Sequence, residues 1–146
     1  MRTVSETAVI PHPPGVVFQA ASDAEAQLSW DAGTLKRVEA LTQGPLAKGS
    51  RYRGKFKGYG TVEYEYAEYD PPKRFAHLAK IPLGRMRHTF TFENVPEGTK
   101  LTQVGELEPG GIGHLIGGLM MGRIQKRFRV IAQELSEYLG REATRG

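Results

Sequence analysis

A chain of 146 residues, 39% hydrophobic and 25% charged, has the size and balance of one globular domain with a single core. It contains no cysteine, which excludes disulfides, thiolate metal sites and cysteine nucleophiles. A net charge of +4, spread over Arg51–Lys57, Lys73–Arg87 and Arg123–Arg129, is too small and too dispersed for a nucleic-acid-binding stripe and reads as a solvated surface.

The amino-terminal MRTVSETAVI lacks the apolar region of a signal peptide. The longest apolar run, Leu115 to Met121, is far short of the roughly 20 residues of a transmembrane segment. The expectation is a cytoplasmic protein forming one domain over residues 1–146.

In chain order, Thr3 to Ile10 reads as a strand, ended by Pro11-His12-Pro13-Pro14. Proline is tolerated in the first helical turn, so Pro13 or Pro14 opens a short helix to Ala21. Ser22 or Asp23 caps a second short helix, Ala24 to Leu28, with Trp30 just beyond. Strands follow over Leu35–Leu41, Gly49–Lys57, Thr61–Tyr69, Arg74–Lys80, Arg85–Glu93 and Thr99–Glu108. They are separated by Gln43-Gly44-Pro45, Gly58-Tyr59-Gly60, Asp70-Pro71-Pro72-Lys73, Pro82-Leu83-Gly84 and Pro96-Glu97-Gly98. Short turns between successive strands imply an antiparallel meander.

From Gly111 to Gly140 no proline occurs, and Ile116, Met120, Ile124, Phe128, Ile131, Leu135 and Tyr138/Leu139 recur at helical spacing. This is one long amphipathic helix. Gly113, Gly117, Gly118 and Gly122 lie inside it at a combined cost of about 2–4 kcal/mol. They leave room for a ligand, form a loosened gate, or allow close backbone packing. The order β-α-α-β-β-β-β-β-β-α is an α+β layer architecture, an antiparallel sheet of about seven strands with the helices on one face.

Turn centres pair the strands so that Tyr66, His77, His88 and Gly105 form one row. Val62, Tyr64, Phe75, Ala79, Met86, Phe90, Phe92, Leu101 and Leu107 share its face, which period-2 polarity assigns to the interior. Glu63, Glu65, Arg74, Lys80, Arg87, Thr89, Thr91, Glu93, Lys100, Thr102 and Glu106 fall on the other. The facing of Gly49–Lys57 stays open, because Tyr52 and Phe56 compete with Arg51, Arg53 and Lys55. His77 and His88 beside Tyr66 and Tyr64 are the sharpest polar constellation. They could satisfy one another, orient the polar group of a buried ligand, or move a proton on an enolisable carbonyl compound. No zinc-protease, phosphate-loop, dinucleotide or nucleophile-elbow motif is present, and no metal or cofactor is expected.

The segments IPHPPGVVFQAASD, the Trp30 position, EYDPPKRF and GTKLTQVGELEP, leading into the long helix, resemble the START-like (SRPBCC) superfamily and within it the polyketide cyclase/dehydrase-like family. The likeness runs from Val4 to Leu139. It implies the helix-grip fold, a curved antiparallel sheet wrapped around the C-terminal helix, with a cavity between them for hydrophobic small molecules. Members include lipid carriers, hormone receptors, aromatic polyketide cyclases, coenzyme Q-binding proteins and chaperone activators. No catalytic residue carries over.

The leading expectation is therefore binding or transport of a lipid, polyketide or isoprenoid-like ligand. Trp30, Val62, Tyr64, Tyr66, Phe75, Met86, Phe90, Phe92 and Leu101 would surround it, Ile116, Met120 and Ile124 would close over it, and His77 and His88 would orient it. The alternatives are a cyclase or dehydratase using His77 or His88 as acid and base, and a protein-interaction module of chaperone-activator type. A small hydrophobic ligand is the expected partner, nucleic acid is not, and the sequence leaves a homodimer open.

Overall fold

The structure, a computed structural model, describes residues 1–145. Strand β1 (Arg2–Ile10) is followed by α1 (Pro14–Ser22) and α2 (Ala24–Trp30). Six strands come next: β2 (Leu35–Ala40), β3 (Arg51–Phe56), β4 (Gly60–Asp70), β5 (Arg74–Ile81), β6 (Gly84–Val95) and β7 (Gly98–Pro109). Helix α3 (Gly113–Arg145) closes the chain. The strands form one antiparallel sheet in the order β1-β7-β6-β5-β4-β3-β2, curved around α3. No helix among the described residues is long and apolar enough to cross a membrane.

Local chemistry sets the element ends. Pro14 occupies the first turn of α1, where its missing N–H is no loss. Asp23 caps α2, its side chain accepting the Glu25 N–H at 2.9 Å. Gly98 turns β6 into β7 with φ of 133°, and a Cβ there would lie 2.3 Å from the Ile10 carbonyl oxygen. Only glycine fits that corner.

The row of Tyr66, His77, His88 and Gly105 forms as the turn centres imply, and it continues to Val4 on β1. In β4 a bulge between Tyr66 and Glu68 turns both Tyr66 and Tyr69 inward. Glu68 faces out, where it pairs with Arg74 and Arg87. Strand β3 pairs regularly with β4, so Tyr52 and Phe56 pack on the core while Arg51, Arg53 and Lys55 are exposed. Ala76 and Thr89, though on the outer face, are buried.

Two parts of the expectation for α3 need correcting. Its first turns bury Gly113, Gly117 and Met121, not Ile116 and Met120, before the stripe settles on Ile124, Phe128, Ile131, Leu135 and Leu139. The cause is close approach: a Cβ on Gly113 would stand 1.7 Å from the Leu83 carbonyl oxygen, and Arg2 lies against Gly117 and Gly118. The helix thus rests Gly113, Gly117 and Gly118 on the β5–β6 turn and β1, Gly122 has open space beside it, and none of the four lines the space between sheet and helix.

The core has two unlike halves. At one end Phe18 of α1 fills the concave sheet, with ring centroids 5.6 Å from Phe75, 5.3 Å from Phe92 and 5.7 Å from Tyr69. Phe75 stacks on Phe90 at 4.4 Å. Towards the other end the sheet and α3 enclose open space, with Phe128 of α3 and Trp30 of α2 reaching only its walls.

Candidate functional site

The gap between the second half of the sheet and α3 is a cavity of about 330 Å³. The sheet contributes Val62, Tyr64, His77, Ala79, Met86, His88 and Phe90; α3 contributes Met120, Ile124, Arg127, Phe128 and Ile131. Ala21, Gln27 and Trp30 border it from the short helices. The exposed Gly58, Tyr59 and Pro82 mark its mouth. This volume is at the small end of the roughly 300–1,000 Å³ range of small-molecule sites.

Of the residues expected around a ligand, Trp30, Val62, Tyr64, His77, Met86, His88, Phe90, Met120 and Ile124 border this cavity. Tyr66, Phe75, Phe92, Leu101 and Ile116 do not. Phe75 and Phe92 are sealed in the half that Phe18 fills, and Leu101, paired with Phe92, is fully buried. Tyr66 is 1% exposed and its hydroxyl donates to the Ser22 carbonyl at 2.6 Å, tying the sheet to the end of α1. Ile116 is turned off the lining by the glycine contact of α3. Trp30 is both a cavity wall and a core residue, its Nε1 donating to the Ala20 carbonyl at 2.9 Å.

The two histidines stand side by side in the row but have different surroundings. The His88 ring lies between Phe90 and Phe128, with each centroid 4.1 Å away. Phe128 can reach it because Gly105, its neighbour in the row, has no side chain; a Cβ there would meet the Phe128 ring at 2.8 Å. Gln103 donates its amide to the Phe128 carbonyl at 2.8 Å, so its oxygen, 3.0 Å from His88 Nε2, is the acceptor. That places the His88 proton on Nε2. Burial holds His88 well below the ordinary imidazole range, with His77 and Arg127 pushing the same way and the Gln103 bond opposing.

His77 packs against Tyr64 at 4.7 Å and Tyr66 at 4.6 Å. Desolvation lowers its pKa to about 3, so it is neutral at physiological pH. Part of the residue keeps some exposed surface, but its Nε2 is buried without a hydrogen-bond partner. The Tyr64 hydroxyl is also buried and unpartnered, and burial raises its pKa well above the phenol value. Unpartnered buried polar groups are uncommon, and two on neighbouring rings of one cavity wall call for an explanation.

A polar corner went unrecognised in the sequence. Asp31, with no exposed surface, accepts two hydrogen bonds from Arg127, at 2.8 and 2.5 Å, and one from Gln27 at 3.0 Å. Arg127 and Gln27 both border the cavity. The partners Asp31 and Arg127 are 96 residues apart, so no local pattern announces the pair. Gln103 could have been found, since it shares the strand parity of Leu101, Gly105 and Leu107. His12 is a loop residue whose carbonyl accepts the Thr99 hydroxyl at 2.7 Å, and His114 is exposed. Arg51 and Arg53 form exposed ion pairs with Glu63 and Glu39. Among the described residues no cluster of side chains could hold a metal ion.

Solved structures share this architecture. Protein TTHA0849 from Thermus thermophilus superposes with a TM-score of 0.76 at 22% identity, over 94% of this chain and 96% of that one. Protein MLL2253 from Mesorhizobium loti gives 0.72 at 23% identity, over 96% and 98%. The Aha1 dimer from Colwellia psychrerythraea gives 0.70 at 16% identity, over 94% and 95%. These likenesses are of fold alone, and no curated protein matches the chain significantly in sequence. The family profile described as "Polyketide cyclase / dehydrase and lipid transport" matches residues 1–140, which takes in the sheet, both short helices and the cavity-lining part of α3. With nearly its whole length matched, the chain belongs to the polyketide cyclase / dehydrase and lipid transport family.

Proposed function

We propose that the protein binds and carries a small, uncharged, mostly apolar molecule bearing one oxygen function, a hydroxyl or a carbonyl. The observation that carries this reading is the pair of unpartnered polar groups, Tyr64 Oη and His77 Nε2, in the wall of a mostly apolar cavity whose other polar side chains, His88, Gln27 and Arg127, already have partners. Both residues are electrically neutral at physiological pH, which suits a neutral polar group rather than a carboxylate. Burying about 300 Å² of apolar ligand surface at roughly 25 cal/mol per Å² supplies on the order of 7 kcal/mol before ordering costs. Met86 and Met120 give the wall adaptable sides.

Acid–base catalysis receives less support from the same facts. A general base works best with a pKa near the operating pH, and desolvation takes both histidines far below it.

Native mass spectrometry of freshly purified protein, repeated after denaturation and organic extraction, tests the reading. The expected result is release of a discrete neutral molecule with an apolar body and an oxygen function. A clean apoprotein mass, together with failure to take up the neutral probe N-phenylnaphthylamine, would overturn it.

A further inference from the structure

The first turns of α3 present an apolar stripe to solvent. Ile112 just before the helix is 51% exposed, Leu115 87% and Leu119 76%. They are spaced three and four apart, and Arg123 and Lys126 continue the same face one and two turns on. The neighbouring face of the helix carries Met120, Ile124 and Arg127 to the cavity. The stripe therefore lies beside the cavity mouth, where Arg123 sits 5.9 Å above the ring of Tyr59 and Gly113 touches the Leu83 carbonyl.

Along this part of the chain the charge is of one sign. No acidic residue occurs between Glu108 and Glu134, a stretch that holds Arg123, Lys126, Arg127 and Arg129. Arg127 is occupied by Asp31 and Arg129 by Glu6, whereas Arg123 and Lys126 are exposed. The Arg2 guanidinium lies over Gly117 and Gly118, adding a third cation at the edge. Exposed leucines followed by cations on one helical face have the make-up of an interfacial anchor, with apolar side chains entering the acyl boundary and cations meeting phosphate.

We propose that this end of α3 docks on an anionic lipid bilayer, with Ile112, Leu115 and Leu119 inserted and Arg2, Arg123 and Lys126 against the headgroups. Docking in this pose brings the cavity mouth to the membrane surface. An acidic protein surface could meet the cations, but it would leave the leucines needing an apolar pocket as well, whereas a bilayer supplies both layers at the right depth. The inference concerns the outer face of the helix and holds whatever the cavity contains.

The test is co-sedimentation of the full chain with vesicles of phosphatidylcholine alone and with about one third phosphatidylglycerol. Binding is expected to the anionic vesicles and to weaken with salt. The Leu115→Ser/Leu119→Ser variant, altered only at exposed positions, is expected to lose at least about tenfold in partitioning while melting like the parent. The Arg123→Glu/Lys126→Glu variant is expected to lose about 25-fold or more, at roughly fivefold per cation. Absence of binding by the parent, equal binding to both vesicle types, or retention by the leucine variant would each overturn the proposal. A parent dimer in sedimentation velocity that the leucine variant dissociates, without vesicle binding, would assign the stripe to a second copy instead. Ligand release and vesicle binding are measured separately, so failure of one reading leaves the other intact.

Discussion

Tyr64→Phe removes one oxygen atom and no packing. The ring stays stacked near Tyr52, at a centroid distance of 6.0 Å, and beside His77 at 4.7 Å. The hydroxyl is buried without a protein partner, a condition that costs about 1–3 kcal/mol. Deleting it is expected to stabilise the apoprotein by about 1–2 kcal/mol, which raises Tm by roughly 3–6 °C in a chain of this length. The same deletion is expected to weaken ligand binding by about tenfold, the worth of one hydrogen bond. The assay is thermal unfolding followed by circular dichroism on protein freed of ligand by denaturation, extraction and refolding, beside titration with the recovered molecule. A phenylalanine variant less stable than its parent by a kilocalorie or more would mean that the hydroxyl is already satisfied in the apoprotein. The case for a waiting ligand group would then fail.

Three further outcomes are expected. Below pH 6.5 the unfolded chain takes up a proton at His77 that the folded chain refuses until about pH 3, so stability falls as pH falls through that window. His77 alone should remove about 2 kcal/mol between pH 7 and pH 5, with His88 acting in the same direction; urea midpoints at the two pH values read the loss, and His77→Phe should flatten it. Asp31→Asn leaves Arg127 without its counter-charge and should destabilise by about 3 kcal/mol in urea, whereas Asp31→Leu with Arg127→Met should recover most of that loss; equal losses in both would contradict a charge effect. Gly105→Ala places a methyl 2.8 Å from Phe128 and 3.0 Å from Met86, and should lower stability by about 1–3 kcal/mol with a changed aromatic circular dichroism signal; an unperturbed variant would show that the ring is not held there.

The fold was legible because its signals are local. Turn residues mark every hairpin, and their centres place Tyr66, His77, His88 and Gly105 in one row without knowledge of any contact. The cavity was legible only in part, because parity assigns a residue to the concave face but not to its filled or open half. Phe75 and Phe92 have the same pattern as Phe90, and the difference lies in Phe18, a residue of α1 whose docking position no strand records. In α3 the apolar period favours Ile116, but backbone proximity at Gly113 outweighs it. The Asp31–Arg127 pair depends on tertiary packing of α2 against α3, so neither residue stands out from the other charged residues in the chain.

The division of the core into a filled half and an open half also separates two kinds of selective demand. Substitution among Phe18, Phe75 and Phe92 acts first on whether the chain folds. Substitution at Val62, Ala79, Met86 or Met120 changes the shape of the cavity while leaving that aromatic cluster untouched. A sequence built this way can drift in the shape of its open half without first losing the means to stay folded. Exchanges that widen or narrow the open half are therefore the route by which chains sharing this frame could come to differ in the cavity they enclose.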